Sequence, residues 1–416
     1  MAKTSKSEPS ARLSHVKYEI RGPLDRRAQE LERQGHEIIK MNIGNPAAFG
    51  FEAPESLRRA IIENISLCSG YGPSKGIFPA REAVVTESQT KGIKGVTLDD
   101  VFMGNGVSEL ILMTMEALLN PGDEVLLPSP DYPLWSASVI LNHGCPVYYP
   151  CPPSHHFMPD VANLESLVTP KTRAIVIINP NNPTGAVYSK DILQGLVNLA
   201  ERHQLLIFSD EIYDRILYDG AIHVPTASLC KNTLCATFGG LSKVYRASGF
   251  RTGWVFFSGN KSEAGAYLKA LDLLASLRLC SNVLGQWAVQ TALGGTQSIY
   301  ELTSPQGRLG KQRQSLINIV KKSESLSLIA PQGALYAFVG INTDLLPKFN
   351  DQDFALKLLE EKHVLLVPGS SFNVNYKNYF RTTFLPDQTV IENVFSRIED
   401  LFGNLFRTTK KINAAS

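Results

Sequence analysis

The sequence predicts an α/β protein built on a mostly parallel sheet with crossover helices, with a smaller second domain beside it. Three observations lead there. Between about residues 53 and 300, strand-like apolar runs alternate with helical patterns, the order that produces parallel strands joined through helices. Several of those runs stop abruptly in polar clusters, as strands do at the ligand-binding edge of an open α/β sheet. The length, 416 residues, exceeds what one typical core organises, so two domains are expected.

Taken in order, residues 1–14 are polar and are expected to be disordered. Residues 15–52 are assigned to the smaller domain, and within them Leu24 to Glu37 reads as an amphipathic helix with charged faces. Residues 53–305 form the expected large domain. Its strand-like runs include Val101-Phe102-Met103, Ala174 to Ile178, Leu205 to Phe208, Leu234 to Phe238 and Trp254 to Phe257, and a helical pattern runs on to Leu119. Residues 306–416 complete the small α+β domain, with short strands at Tyr336–Val339 and Val364–Val367. No internal repeat or low-complexity linker interrupts this order.

Composition narrows the function. A hydrophobic content of 44%, charged content of 19% and net charge of +2 describe an ordinary globular chain, with too little charge to imply a nucleic acid or membrane-surface partner. No apolar run reaches the ~18 residues of a membrane span. Met1 to Ser10 lacks an apolar signal core, so a cytoplasmic protein is expected. The six cysteines contain no Cys-x-x-Cys pair and several lie in apolar runs, as reduced thiols do. Cys151 to His156 is the one segment that could tempt a metal, but its prolines favour a surface loop and a zinc site needs four convergent ligands. No metal is expected.

The polar clusters suggest specific chemistry. Lys243 lies in an irregular stretch between two apolar runs and Arg251 follows eight residues later; burial there lowers an amine's pKa and makes it a nucleophile fit to form a Schiff base. Gly106, Val107 and Ser108 open a helix directly after Val101-Phe102-Met103, offering backbone N–H groups to a phosphate, and Arg251 adds a bidentate charge. Asp210, at a strand end, would keep a heterocyclic nitrogen protonated, turning a pyridine ring into an electron sink. Asn182 and Tyr213 can donate to a phenolate oxygen on that ring. Together these describe a site for pyridoxal 5′-phosphate. Each residue also has a plainer use: Asp210-Glu211 as a helix cap, Asn182 to Gly185 as a turn, Gly106 as a tight-turn glycine, Tyr132 as core and Arg381 as a surface ion pair.

At these residues the chain resembles the class I and II aminotransferases of the aspartate aminotransferase fold, fold type I, from about Tyr18 to about Phe406. It looks most like the bacterial alanine (glutamate–pyruvate) branch, through Tyr18 to Pro23, Asn42 to Pro46, Pro130 to Trp135 and Gly333 to Tyr336. The resemblance implies a three-layer α/β/α large domain, transfer of an amino group from L-alanine to 2-oxoglutarate, and a homodimer with shared sites. It implies that Lys243 carries the cofactor and then moves the substrate α-proton, with Asp210 at the ring nitrogen, Asn182 and Tyr213 at the ring oxygen and Tyr132 on the ring face. Arg251, Ser242 and the backbone of Gly106, Val107 and Ser108 would hold the phosphate, with Tyr71 reaching it from the neighbouring subunit. Arg381, Asn182 and the Gly44 backbone would bind the substrate carboxylate, and Tyr18 and Arg21 would cover the substrate. The chain departs from many relatives in having Gly240, not serine, three residues before the lysine, so Ser242 is expected to take that load. An aromatic aminotransferase, a β-lyase on the same cofactor and a non-catalytic binding module are the alternative readings.

Overall fold

The computed structural model describes residues 7–346 and 349–413. Ala11–His15 forms one 3-10 turn, and Arg12 donates to Leu141 O at 2.8 Å; residues 1–6 of the segment expected to be disordered lie outside the described residues. The first helix is Pro23–Arg33. It stops four residues short of the expected Glu37 because Gly35, at φ 96°, takes a left-handed turn that glycine adopts at little cost, and the chain leaves into the two-residue strand β1 (Ile39–Lys40).

A seven-stranded sheet organises the next two hundred residues. Its strands are β2 (Val101–Gly104), β3 (Glu124–Ser129), β4 (Cys145–Pro150), β5 (Thr172–Ile178), β6 (Leu206–Asp210), β7 (Leu234–Gly240) and β8 (Gly253–Gly259), in the order β2-β8-β7-β6-β5-β3-β4. Neighbours pair in parallel from β7 through β6, β5 and β3 to β4. Only β8 is antiparallel to its neighbours, because the segment between β7 and β8 has no crossover helix to carry the chain back. Alternate residues feed two cores. Ala174, Val176 and Ile178 pack into one with the helices Val107–Leu118, Leu134–Leu141 and Gly265–Leu277. Ile175 and Ile177 pack into the other with Phe78–Thr90, Lys190–Arg202 and Val283–Gly294. Helices on both faces make three layers, and strands buried on both faces account for the continuous apolar runs.

A four-stranded antiparallel sheet follows, in the order β12-β13-β10-β9, from β9 (Leu326–Leu328), β10 (Tyr336–Ile341), β12 (Val367–Pro368) and β13 (Tyr379–Thr383). The run Val364–Val367, expected as one strand, is divided: β11 (Val364–Leu365) pairs in parallel with β1, whereas β12 pairs with β13. An apolar run carries no mark of a change of partner. Met41 donates to Leu365 O at 2.7 Å and Thr383 to Met41 O at 3.0 Å, so the chain around residue 41 is hydrogen-bonded into the C-terminal part. The functional consequence is placement: Asn42 and Gly44 arrive next to Arg381 on β13.

Candidate active site

Strand order reverses between β3 and β5, the place where open α/β sheets bind ligands. There lies a cavity of about 560 Å³. Of the residues expected from sequence, Tyr18, Arg21, Gly44, Val107, Ser108, Tyr132, Asn182, Asp210, Tyr213, Ser242, Lys243, Arg251 and Arg381 line it. Gly106 is the N-cap of the helix whose first residues are Val107 and Ser108. Tyr71 does not line the cavity of its own chain and is 83% exposed.

At one end, Gly106 (φ 80°) has no side chain to cap its helix, leaving the first N–H groups open to an anion. A Cβ at Gly106 would overlap the Arg251 guanidinium. Arg251 donates to Ser248 O at 2.9 Å and to Asn105 O at 3.0 Å, which fixes its fork over the helix start. A Cβ at Gly240 would stand 3.1 Å from Thr252 O and 3.2 Å from the Gly253 Cα, so the residue that departs from many relatives is pressed against β8 while Ser242 lines the cavity.

In the middle, Asp210 ends β6 and is 4% exposed. No helix starts there: its Oδ1 accepts from Ile212 N at 3.3 Å, and its Oδ2 from Trp135 Nε1 at 3.1 Å. Burial raises the carboxyl to about 6, against the hydrogen bonds from Trp135 and Ile212 that lower it. Lys243 Nζ donates to Gly44 O at 2.6 Å. Tyr132 shares a 3.2 Å hydrogen bond with Tyr18, and burial raises its phenol well above the usual range.

At the far end, Arg381 is 1% exposed, so it is not a surface ion pair. Its Nη1 donates to Asn182 Oδ1 at 2.9 Å and its Nη2 to Asn42 O, while Nε is buried with no partner. No carboxylate pairs with this guanidinium among the described residues. A buried, unneutralised cation is costly, and an anionic ligand relieves that cost. Tyr18 and Arg21 flank this region on a 3-10 turn. Glu19, between them, accepts from Gln352 Nε2 at 2.7 Å and Ser371 Oγ at 2.8 Å, which pins the turn to the C-terminal part.

The sequence matches the family of aminotransferases of class I and II across residues 36–398. The chain belongs to that family. A glutamate–pyruvate aminotransferase AlaA of Haemophilus influenzae is 48% identical over 389 residues, 94% of this chain and 96% of that protein. An alanine aminotransferase of Mycobacterium tuberculosis is 49% identical over 378 residues, 91% of this chain and 88% of that protein. The crystal structure of an aminotransferase from Escherichia coli is similar in fold, with TM-score 0.94 and 47% identity over 96% of this chain and 99% of that one.

Two site residues of this aminotransferase were not assigned from sequence. Trp135 reaches Asp210, and Tyr336 lines the cavity between Gly44 and Arg381. Trp135 carried a signal only through its place in the Pro130 to Trp135 stretch, three residues on from Tyr132, which itself precedes the helix Leu134–Leu141. Tyr336 carried only its membership of the Gly333 to Tyr336 stretch that marks the resemblance, and nothing local places it in the site, because that depends on β10 pairing with β13. Among the described residues no group of three His, Cys, Asp or Glu could hold a metal ion, and no helix is long and apolar enough to cross a membrane.

Proposed function

We propose that the chain is a pyridoxal 5′-phosphate-dependent transaminase whose working pair is L-alanine with 2-oxoglutarate, giving pyruvate and L-glutamate. The observation that carries the reading is Arg381, a buried cation with an unpartnered Nε opening on a cavity that also holds Lys243 and Asp210. The donor set fits the cofactor. The open helix start at Gly106, Val107 and Ser108, with Arg251 and Ser242, suits a phosphate. Asp210 suits a ring nitrogen, Asn182 and Tyr213 a ring oxygen, Tyr132 a ring face and Lys243 an aldehyde carbon. The choice of alanine follows the names of the relatives.

When bound, pyridoxal phosphate supplies an aldehyde for amine capture and a protonated pyridine ring that withdraws electrons from the substrate Cα. Asp210, buried at the end of β6, holds the proton on that ring's nitrogen as a carboxylate. Arg381 takes the α-carboxylate that amino acid and oxo acid share, which orients the Cα–H bond toward Lys243. Lys243 Nζ, as a free amine, would take the proton from the substrate Cα and hold it for return. Tyr18 and Arg21 close the cavity against water.

The same proposal divides the chain into a cofactor-binding unit, 53–305, and a smaller unit built from 15–52 and 306–416. It takes the working enzyme as a cytoplasmic homodimer with Tyr71 at the partner's phosphate. The exposure of Tyr71 (83%), together with that of its apolar neighbours Ile62, Ile65 and Leu67, supports a covered face there. The test is an absorption spectrum after incubation with pyridoxal phosphate, followed by assays with alanine, an aromatic amino acid and cystathionine, each with and without 2-oxoglutarate. A visible band and oxo-acid-dependent pyruvate formation are expected from alanine. Ammonia released without an oxo acid, or no band at all, would overturn the reading.

A further inference from the structure

Tyr336 begins β10 and meets three of the groups assigned above. Its ring covers the Arg381 guanidinium, 4.1 Å from the ring centroid, and Phe372 stands 4.9 Å from the same group. It meets Tyr213 edge-on at 6.1 Å, and the Tyr213 hydroxyl donates to the Tyr336 oxygen at 3.4 Å. That oxygen fills the space where a Cβ on residue 44 would be, while Gly44 O accepts from Lys243 Nζ at 2.6 Å. The lysine amine and the Tyr336 oxygen therefore converge on one glycine, and both line the cavity.

A phenol oxygen has two lone pairs, and the bond from Tyr213 uses one. The charged and titratable groups facing it are Lys243, Arg381, Tyr213 and Tyr132. Burial raises the Tyr336 phenol, but the charges of Lys243 and Arg381, the hydrogen bond from Tyr213 and the facing Gly44 backbone outweigh it and leave the group below the ordinary phenol range. Tyr213 and Tyr132 are instead raised well above that range, chiefly by burial. Tyr336 is thus the phenol of the three that faces both cations, Lys243 and Arg381.

We propose that Tyr336 is a positioning residue for Lys243: its hydroxyl oxygen accepts an N–H bond from the free lysine amine and so turns the nitrogen lone pair toward the substrate Cα. The inference rests on the transaminase reading. In the step it serves, the substrate Cα–H bond breaks, an N–H bond forms on Lys243, and the electron pair stays on the cofactor-bound substrate. Tyr336 neither gains nor loses a proton; it stabilises the ammonium as that forms. Its ring, stacked on Arg381, fixes where the oxygen stands.

The test separates oxygen from ring. Tyr336→Phe keeps the stack and removes the oxygen, and in the cofactor-loaded enzyme kcat should fall at least about tenfold. KM for alanine and for 2-oxoglutarate should change by less than about threefold, and the kinetic isotope effect with alanine deuterated at Cα should rise. Tyr336→Leu should also raise both KM values. A second readout does not use turnover: ultraviolet titration of phenolate in the cofactor-loaded enzyme held in excess alanine, where Lys243 is free. One tyrosine should ionise below the ordinary range in the wild type, be missing from Tyr336→Phe, and move upward in Lys243→Met. An unchanged kcat and isotope effect in Tyr336→Phe, or a titration identical in all three proteins, would overturn the inference. A wild type with the expected titration but no transamination of alanine would overturn the proposed substrate pair and leave the link between Tyr336 and Lys243 standing.

Discussion

Asp210→Asn should make the cofactor-free protein more stable near neutral pH while it removes most of the activity. The carboxyl is buried at the end of β6 and raised by that burial from 3.8 to about 6. A folded-state value above the ordinary one means that the native protein binds the proton more tightly than the unfolded chain does. Stability contributed by this group is therefore greatest below pH ~4, falls as pH rises from about 4 to 6, and stays low above that. At about 1.36 kcal/mol per pH unit, the gap between 3.8 and about 6 corresponds to roughly 3 kcal/mol. Asparagine carries no charge to desolvate, but its amide nitrogen cannot accept one of the two hydrogen bonds that Trp135 and Ile212 now donate, which costs about 1 kcal/mol. The net expectation is a gain of roughly 2 kcal/mol at pH 7 and none, or a small loss, at pH 4.

Urea unfolding of cofactor-free wild type and variant across pH 4 to 7.5 measures this, with the difference between the two proteins cancelling all other titrating groups. The loaded enzyme should show the opposite: turnover falls by at least about a hundredfold, because a neutral amide cannot hold a proton on the ring nitrogen. A stability difference that does not vary with pH would refute the burial argument. Unchanged turnover would refute the role of Asp210 at the ring. Both outcomes together would leave the residue a structural acceptor for Trp135 and Ile212.

What the sequence made legible follows from what one segment can carry. Asp210, Asn182 and Gly106 stand where an apolar run stops, and a run that stops in a polar residue marks the end of a buried strand whatever the rest of the fold does. Lys243 was legible for the same reason, being caught between two such runs. Arg381 was less so: nothing within Tyr379–Thr383 tells a buried guanidinium from an exposed one, and its burial arises from β13 lying between β10 and β12. The division of Val364–Val367 between two sheets and the place of Tyr336 are products of strand pairing over long sequence separations, to which local periodicity is blind. The early stop of the first helix was written in Gly35, a residue whose left-handed turn could have been read from the Gln-Gly pair.

The remaining predictions probe the two ends of the cavity and its completion by a second chain. Arg381→Lys keeps the charge but loses the fork, so KM for alanine and 2-oxoglutarate should rise together by about tenfold or more in steady-state kinetics; a rise for only one would take Arg381 out of the shared carboxylate site. Gly106→Ala puts a methyl onto the Arg251 guanidinium at a left-handed position. Pyridoxal phosphate affinity by absorbance titration should fall at least about tenfold, for a stability loss of only about 1–2 kcal/mol. The last prediction concerns Tyr71, which one chain leaves outside its own cavity. If it completes the partner's phosphate site, Tyr71→Ala and Lys243→Ala each spoil both sites of their own homodimer, by different routes. A mixed dimer has one site with both defects and one with neither, since the Tyr71→Ala chain supplies an intact Lys243 and the Lys243→Ala chain an intact Tyr71. Refolding the two together should recover about half of the wild-type activity per dimer in the heterodimer fraction, separated by distinct affinity tags. Heterodimers with no recovered activity, or a monomer fully active at high dilution, would show that each chain builds its whole site alone.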